Sequence, residues 1–260
     1  MADRPESTSG RVVIKIGGSV LTGAPAYRRA ARILADRICE RPDEQILAIV
    51  SAEEGMTDAL LASARDMAVV PDPETLDLLW STGELRSVAL LVFALHALGI
   101  RAVAANVHQT GLLHGSAAAD DSRAGHTSAW RNTRLRALRL RALLATTDVV
   151  VAPGFLARAA GDRIRSLGRG GSDLTAVLLA SGLEARACEL VKDVSGYYTA
   201  DPHTTPDATP LETLPYESAI EMAAGGCELV QRQALEAARD LKVRLVVRGM
   251  DGGIGTVLGS

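Results

Sequence analysis

Aromatic side chains are nearly missing from this chain: phenylalanine, tyrosine and tryptophan together make up 3% of its 260 residues. Aliphatic side chains and alanine must therefore fill the core that a 47% hydrophobic content can build. Cysteine is also sparse. Cys39, Cys188 and Cys227 are odd in number and far apart, which fits neither a metal pattern nor a disulfide framework. They read as buried thiols in a reducing compartment, so a cytoplasmic protein is expected. No apolar run approaches the roughly 20 residues of a membrane span. The opening Met-Ala-Asp-Arg-Pro-Glu-Ser-Thr-Ser-Gly lacks an apolar signal region, and residues 1–10 read as a disordered tail. Positive charge is not in excess either. A formal net charge of −3 gives no reason to expect nucleic acid or an anionic membrane as partner. The length favours one large domain or two lobes.

Lysine is the scarcest charged residue. Of 28 lysines and arginines, only Lys15, Lys192 and Lys242 are lysines. Arginine does the solubilising elsewhere, so Lys15 is set apart from routine surface charge. Its compact ammonium suits a phosphate oxygen. Lys15 sits in Val12-Val13-Ile14-Lys15-Ile16-Gly17-Gly18-Ser19, an apolar run that ends in glycines. A second glycine turn, Gly168-Arg169-Gly170-Gly171-Ser172-Asp173-Leu174-Thr175-Ala176, leads into the apolar stretch Val177-Leu178-Leu179-Ala180. A glycine turn entering a helix presents free N–H groups and the positive end of the helix dipole. Two such turns, each with a charged partner, point to polyphosphate.

Periodicity supplies the frame. Strands are expected at 11–16, 46–50, 102–107, 148–152, 188–192 and 243–247. Helices are expected at 27–39, 58–67, 174–181 and 216–238, with a long one at 75–98 broken near Thr82-Gly83. Residues 108–126 read as a polar connection. Arg134 to Leu144 alternates arginine with leucine and alanine at helical spacing, as a solvated amphipathic helix does. Alternating strands and helices define an α/β fold with a mainly parallel sheet, whose ligands bind beyond the carboxyl ends of the strands.

Six stretches share one explanation: Lys15 to Ser19, Val50 to Asp58, Ser81 to Leu85, Leu167 to Ala176, Lys192 to Pro202, and Gly253-Ile254-Gly255-Thr256. In this order they resemble the amino acid kinase family, most closely the aspartokinase catalytic domain, over about residues 11–258. The resemblance implies a three-layer αβα sandwich, the carbamate kinase-like fold, with an acid-substrate lobe at about 11–165 and a nucleotide lobe at about 166–260. It implies transfer of the γ-phosphoryl group of ATP, with Mg²⁺, to a small amino acid's carboxylate, and a homo-oligomer. Lys15, Asp173 and Lys192 would be catalytic. Gly17, Gly18, Ser19, Gly170 and Gly171 would hold phosphate. Ser51, Thr57, Glu84, Arg169 and Ser172 would hold the acid, Glu84 through its ammonium. Asp193, Tyr198 and Asp201 would contact nucleotide, and no side chain would bind metal directly. Two residues keep a second reading: Asp173 as the N-cap of its helix, and Tyr198 as a core tyrosine.

The chain also departs from that pattern. Glu228 stands at the family's second catalytic lysine, which leaves Lys192 and Arg232 as replacement cations. Glu53 and Glu54 bring carboxylates into the substrate loop, where they would disfavour a dianion if they faced it. His203 follows Asp-Pro where arginine is usual. The match ends where regulatory ACT domains begin in most aspartokinases, so feedback through such a domain is not expected. Two alternatives follow: a nucleotide-binding or regulatory member with weak or no turnover, and a kinase for a different acid or phosphate-bearing substrate.

Overall fold

A computed structural model describes residues 10–114, 133–168, 170–200, 204–205, 207–227, 229–253 and 255–259. The strands are β1 (Arg11–Ile16), β2 (Gln45–Val50), β3 (Ala102–Ala104), β4 (Leu112–His114), β5 (Thr133–Leu135), β6 (Val149–Pro153), β7 (Leu156–Arg158), β8 (Ile164–Ser166), β9 (Ala187–Lys192), β10 (Thr213–Pro215), β11 (Leu245–Gly249) and β12 (Thr256–Gly259). The helices are α1 (Gly23–Glu40), α2 (Met56–Met67), α3 (Pro73–His96), α4 (Val107–Thr110), α5 (Leu138–Leu144), α6 (Gly171–Gly182), α7 (Tyr216–Ala224) and α8 (Arg232–Asp240).

The main sheet runs β10-β12-β11-β9-β1-β2-β6-β3. Every pairing in it is parallel except that of β11 with β12. Strand alternation sorts its side chains onto two faces. Val12, Ile14 and Ile16 of β1 pack with Tyr27, Ala30 and Leu34 of α1 and with Val88, Leu91 and Leu95 of α3. Val13 joins the opposite core, which α5, α6, α7 and α8 cover. The result is the expected αβα sandwich. Because β1 is buried on both faces, Lys15, near its carboxyl end and pointing toward α6, is only 6% exposed.

Several boundaries differ from the periodic reading: α1 begins at Gly23, and the strand expected at 243–247 is Leu245–Gly249. Helix α3 is continuous through Gly83. That glycine serves close approach: a Cβ there would lie 3.1 Å from Met56 Cγ and 3.2 Å from Ala52 Cβ. The stretch 216–238 is two helices, separated at Gly225-Gly226, where Gly226 takes φ +101°. The third strand ends at Ala104, because Asn106 and Gln109 form a capping box that opens α4. Arg134 lies in β5, and the helix begins only at Leu138. A second, four-stranded sheet, β5-β4-β7-β8, was not foreseen. Its strands are three residues long, too short to show a period. Helix α3 also amends the expectation about spans. It is long and apolar enough to cross a membrane by composition, and its buried residues, Leu91 and Leu95 among them, pack on the sheet.

Candidate active site

The site forms at the carboxyl ends of β1 and β9. Lys15 on β1 and Lys192 on β9 have the parity of Val13 and of Leu190, so both point to the α6 face. Helix α6 starts beneath them. Gly170, at φ +70°, is its N-cap, and Asp173 is the third residue of its first turn. Asp173 is therefore not the N-cap. Its carboxylate instead holds the two lysines: Lys15 Nζ lies 2.8 Å from Oδ1, and Lys192 Nζ donates to Oδ2 at 2.7 Å. The three side chains are 7%, 13% and 4% exposed. Burial opposes ionisation of Asp173, but the two ammonium groups outweigh it and hold the carboxyl below its ordinary range. Burial, reinforced by Lys15, pushes the Lys192 ammonium down. Two cations share one anion, which leaves one positive charge over for a ligand.

Glycine geometry brings the loops to this charge. The Gly17 amide donates to Val191 O at 3.1 Å, and Gly18, Ser19 and Val20 form a single helical turn. A Cβ on Gly18 would lie 2.2 Å from Ala52 O, so only glycine lets the 51–56 loop close onto the turn. Gly170 is equally tight, with Gln231 packed where its Cβ would be. Sequence reasoning missed Gln231, because no local signal links the starts of α6 and α8.

Across the turn lies Glu84, 3% exposed, on α3. The backbone at Ala52 and Gly154 favours its charged form, although the Gly154 amide itself donates to Val50 O at 2.8 Å, and Oε2 has no hydrogen-bond partner among the described residues. Burial pushes its carboxyl up to about 8, against this backbone and nearby Lys15. A buried acceptor without a donor suits an incoming ammonium. Half-buried Ser51 and Thr57 flank the loop, and Ser172 at the start of α6 crowds Gly154. Trp80 Nε1 donates to Thr57 O at 3.2 Å, and its ring meets Phe155 edge-on at 5.8 Å. The few aromatics thus include a pair at this loop, which composition could not show. Glu53 is paired with Arg86 at 2.7 Å, and Glu54 is exposed. The repulsion expected if Glu53 faced a dianion is thereby countered.

The nucleotide-side expectations divide. A cavity of about 510 Å³ opens beside Lys192, lined by Ser19, Asp193, Ser195 and Asp251 among others. Asp193 faces it; Tyr198 does not line it and is half-buried, bridged to Pro210. The core tyrosine is Tyr197, 2% exposed. The closing motif explains this turn. Thr256 Oγ1 accepts from the Tyr197 amide at 2.8 Å and donates to Leu211 O at 2.6 Å. Gly196, at φ +130°, leaves room for that hydroxyl. Arg169, Asp201, His203 and Glu228 lie outside the described residues. Arg232, the other replacement cation, is paired with Glu236 at 2.8 Å.

Asp173 has both oxygens engaged by lysines. The described residues contain no cluster of three metal-ligating side chains. This donor set fits a magnesium ion carried by nucleotide phosphates and water better than one held in a protein cage.

A mainly parallel α/β sandwich with a buried Lys-Asp-Lys cluster beside glycine turns defines the class of fold and site. The model of the amino acid kinase family matches residues 10–249, and the chain belongs to that family. It is 36% identical to an aspartokinase of Mycolicibacterium smegmatis over 244 residues, covering 91% of this chain and 54% of the relative. It is 37% identical to one of Pseudomonas aeruginosa over 248 residues, covering 95% and 58%. The chain thus spans little more than half the length of these curated relatives. An aspartate kinase structure from Synechocystis superposes with TM-score 0.82 at 28% identity, over 96% of this chain and 40% of that one. Escherichia coli aspartokinase III, in complex with aspartate and ADP, superposes with TM-score 0.76 at 24% identity, over 96% and 64%. That second likeness concerns the fold.

Proposed function

We propose that the chain is an ATP-dependent kinase that transfers the γ-phosphoryl group to the carboxylate of a small amino acid, aspartate or an analogue, to give an acyl phosphate. The observation that carries this reading is the Lys15-Asp173-Lys192 cluster, set between the Gly17-Gly18 turn and the start of α6, with Glu84 Oε2, which has no partner among the described residues, across the loop. A carboxylate nucleophile carries no proton, so the reaction asks for positioning and charge neutralisation rather than a base. Its oxygen bonds to the γ-phosphorus as the bond to the β–γ bridging oxygen breaks, and ADP departs. Lys15, with the N–H group of Gly18, stabilises the charge on the transferring group, while the Gly17 amide, held on Val191 O at 3.1 Å, fixes the turn. Lys192 supplies the second cation, on the opposite oxygen of Asp173. Ser19 and Gly170 complete the phosphate cradle; the Gly171 amide, expected to face phosphate, is already held by Gly168 O at 2.9 Å and shapes the turn.

The acid binds in the lobe at about 11–165. Glu84 takes the ammonium, Ser51, Thr57 and Ser172 donate to substrate oxygens, and Arg169 clamps the second carboxylate. The nucleotide binds in the lobe at about 166–260, with Asp193, Tyr198 and Asp201 as contacts. Magnesium, when bound with the nucleotide, would neutralise phosphate oxygens. The chain acts in the cytoplasm as a homo-oligomer.

Trapping with hydroxylamine tests the reading directly, since acyl phosphates yield hydroxamates. Incubation with ATP, magnesium and a panel of amino acids should give hydroxamate with one small amino acid, and none with the Lys15→Ala protein. ATP binding by calorimetry with no ADP release would favour the nucleotide-binding alternative that Glu228 suggests. ADP release with another acid and none with aspartate would favour the altered-substrate alternative.

A further inference from the structure

The substrate loop is fastened to α3 from both sides, and one fastener is a residue that the acid chemistry does not require. Positions 84 and 86 lie two apart on α3 and so face different ways. The loop reaches this stretch of the helix through consecutive residues: Ala52 packs on it at Gly83, where a Cβ would lie 3.2 Å from Ala52 Cβ, and the Glu53 carboxylate meets Arg86 at 2.7 Å. The Tyr27 hydroxyl lies beside Glu53 and donates to Ser87 Oγ at 2.9 Å, which joins α1 to the same point. Trp80 holds the far end through Thr57 O, and the Glu54 amide holds the inner side to Gly18 O at 3.3 Å.

We propose that the Glu53–Arg86 pair is a positioning latch that sets the affinity of the kinase for its acid substrate by holding Ser51 and Thr57 over the site. The inference rests on the kinase reading above. Glu53 touches neither Lys15 nor Asp173, and its side chain is 14% exposed against 49% for Arg86. The pair is thus half-shielded from water, where an ion pair retains part of its strength. Without it the loop keeps its tie to the phosphate turn through Glu54 and loses its outer tie. Acid binding then suffers, while the nucleotide, held by Lys15 and the glycine turns, does not. The latch also accounts for a carboxylate beside an anion site: Arg86 neutralises it.

The test is steady-state kinetics of Glu53→Gln, Arg86→Glu and the exchanged pair Glu53→Arg/Arg86→Glu, with amide hydrogen exchange over residues 51–57. Each single variant should raise the KM for the acid roughly fivefold, with kcat and the ATP KM within about twofold. The exchanged pair should recover most of that loss. Exchange at 51–57 should quicken in the single variants without a shift in melting temperature. An unchanged acid KM, an equal rise in both KM values, or no recovery in the exchanged pair would overturn the latch. Should no amino acid be phosphorylated by the unaltered protein, the kinase reading fails by itself. The latch is then judged by exchange alone, and unaltered exchange in Glu53→Gln removes it.

Discussion

Two buried charge clusters lie on opposite faces of the same strands, and their difference separates architecture from chemistry. Toward α1, Arg37, Arg186 and Arg248 surround Glu44 and Glu189. Arg37 bonds Glu44 at 2.6 Å and Glu189 at 2.9 Å, Arg186 bonds Glu44 at 2.6 Å, and Arg248 meets Glu189 at 2.9 Å. Toward α6, Lys15 and Lys192 share Asp173. Each cluster carries one surplus positive charge, three arginines against two glutamates and two lysines against one aspartate. Planar guanidinium forks suit permanent pairs, whereas a lysine ammonium is a point charge that can turn from one oxygen to another. Two of the chain's three lysines stand in this second cluster, where the proposed reaction asks for a charge that can be turned to a ligand. Arginine fills the cluster that only has to hold.

The largest effect is expected on the arginine side. Glu189→Gln leaves Arg37 and Arg248 short of a buried partner and should cost about 3–5 kcal/mol of stability, the usual penalty for breaking a buried pair. Urea unfolding measures it, with kcat per folded molecule nearly unchanged. A variant as stable as the parent would erase the contrast.

Lys15→Ala comes next. Turnover should fall at least about a hundredfold, as for a group acting on developing charge, with folding retained. Unchanged turnover would remove Lys15 from the chemistry. Lys192→Ala should be milder, about tenfold in turnover or ATP affinity, because Lys15 remains. Lys192→Arg should not restore it, since a fork settles on Asp173 as on Glu189. Its companion is Glu228→Lys in the unaltered chain, which should improve nucleotide affinity or leave it intact. Loss of activity there, with normal activity in Lys192→Ala, would give Glu228 a positive role of its own.

The last comparison is pH-dependent and concerns the unliganded protein. The Glu84 carboxyl is raised to about 8 from an ordinary 4.5. A raised acid binds more protons when folded, so stability falls as pH rises between those values. Whatever stability Glu84 provides is full below 4.5 and is lost as pH passes through about 8. Glu84→Gln has no such loss. Its melting temperature relative to the parent should rise steadily from pH ~5 to pH ~9, while its acid binding disappears. A gap that is flat with pH would show that Glu84 is not held neutral by burial.

Much of this was legible in the chain. Lysine scarcity singled out Lys15, which the fold buries beside Asp173, and the glycine turns marked two helix starts. Four of the longer strands, β1, β2, β6 and β9, came within a residue or so, because each is a β-branched or aliphatic run bounded by polar residues. Other features were not legible. Gly83 is a packing glycine rather than a breaker, since its reason lies in Met56 and Ala52 on neighbouring elements. Tyr197 and Tyr198 are adjacent and chemically alike, and only the grip of Thr256 on the turn decides which is buried.

The sequence by itself determined the α/β class, the order of the main strands, the two glycine turns and the identity of the candidate reactive groups. These follow from local causes: residue shape, period and the backbone freedom of glycine. Only the tertiary structure decided that Lys15 and Lys192 meet on one carboxylate, that Glu53 pairs with Arg86, and that Glu84 Oε2 has no partner among the described residues. Those outcomes depend on which strands are neighbours and which faces they share. Lys15 and Lys192 lie 177 positions apart in the chain, yet their strands are paired in the sheet, so the α6 face receives both.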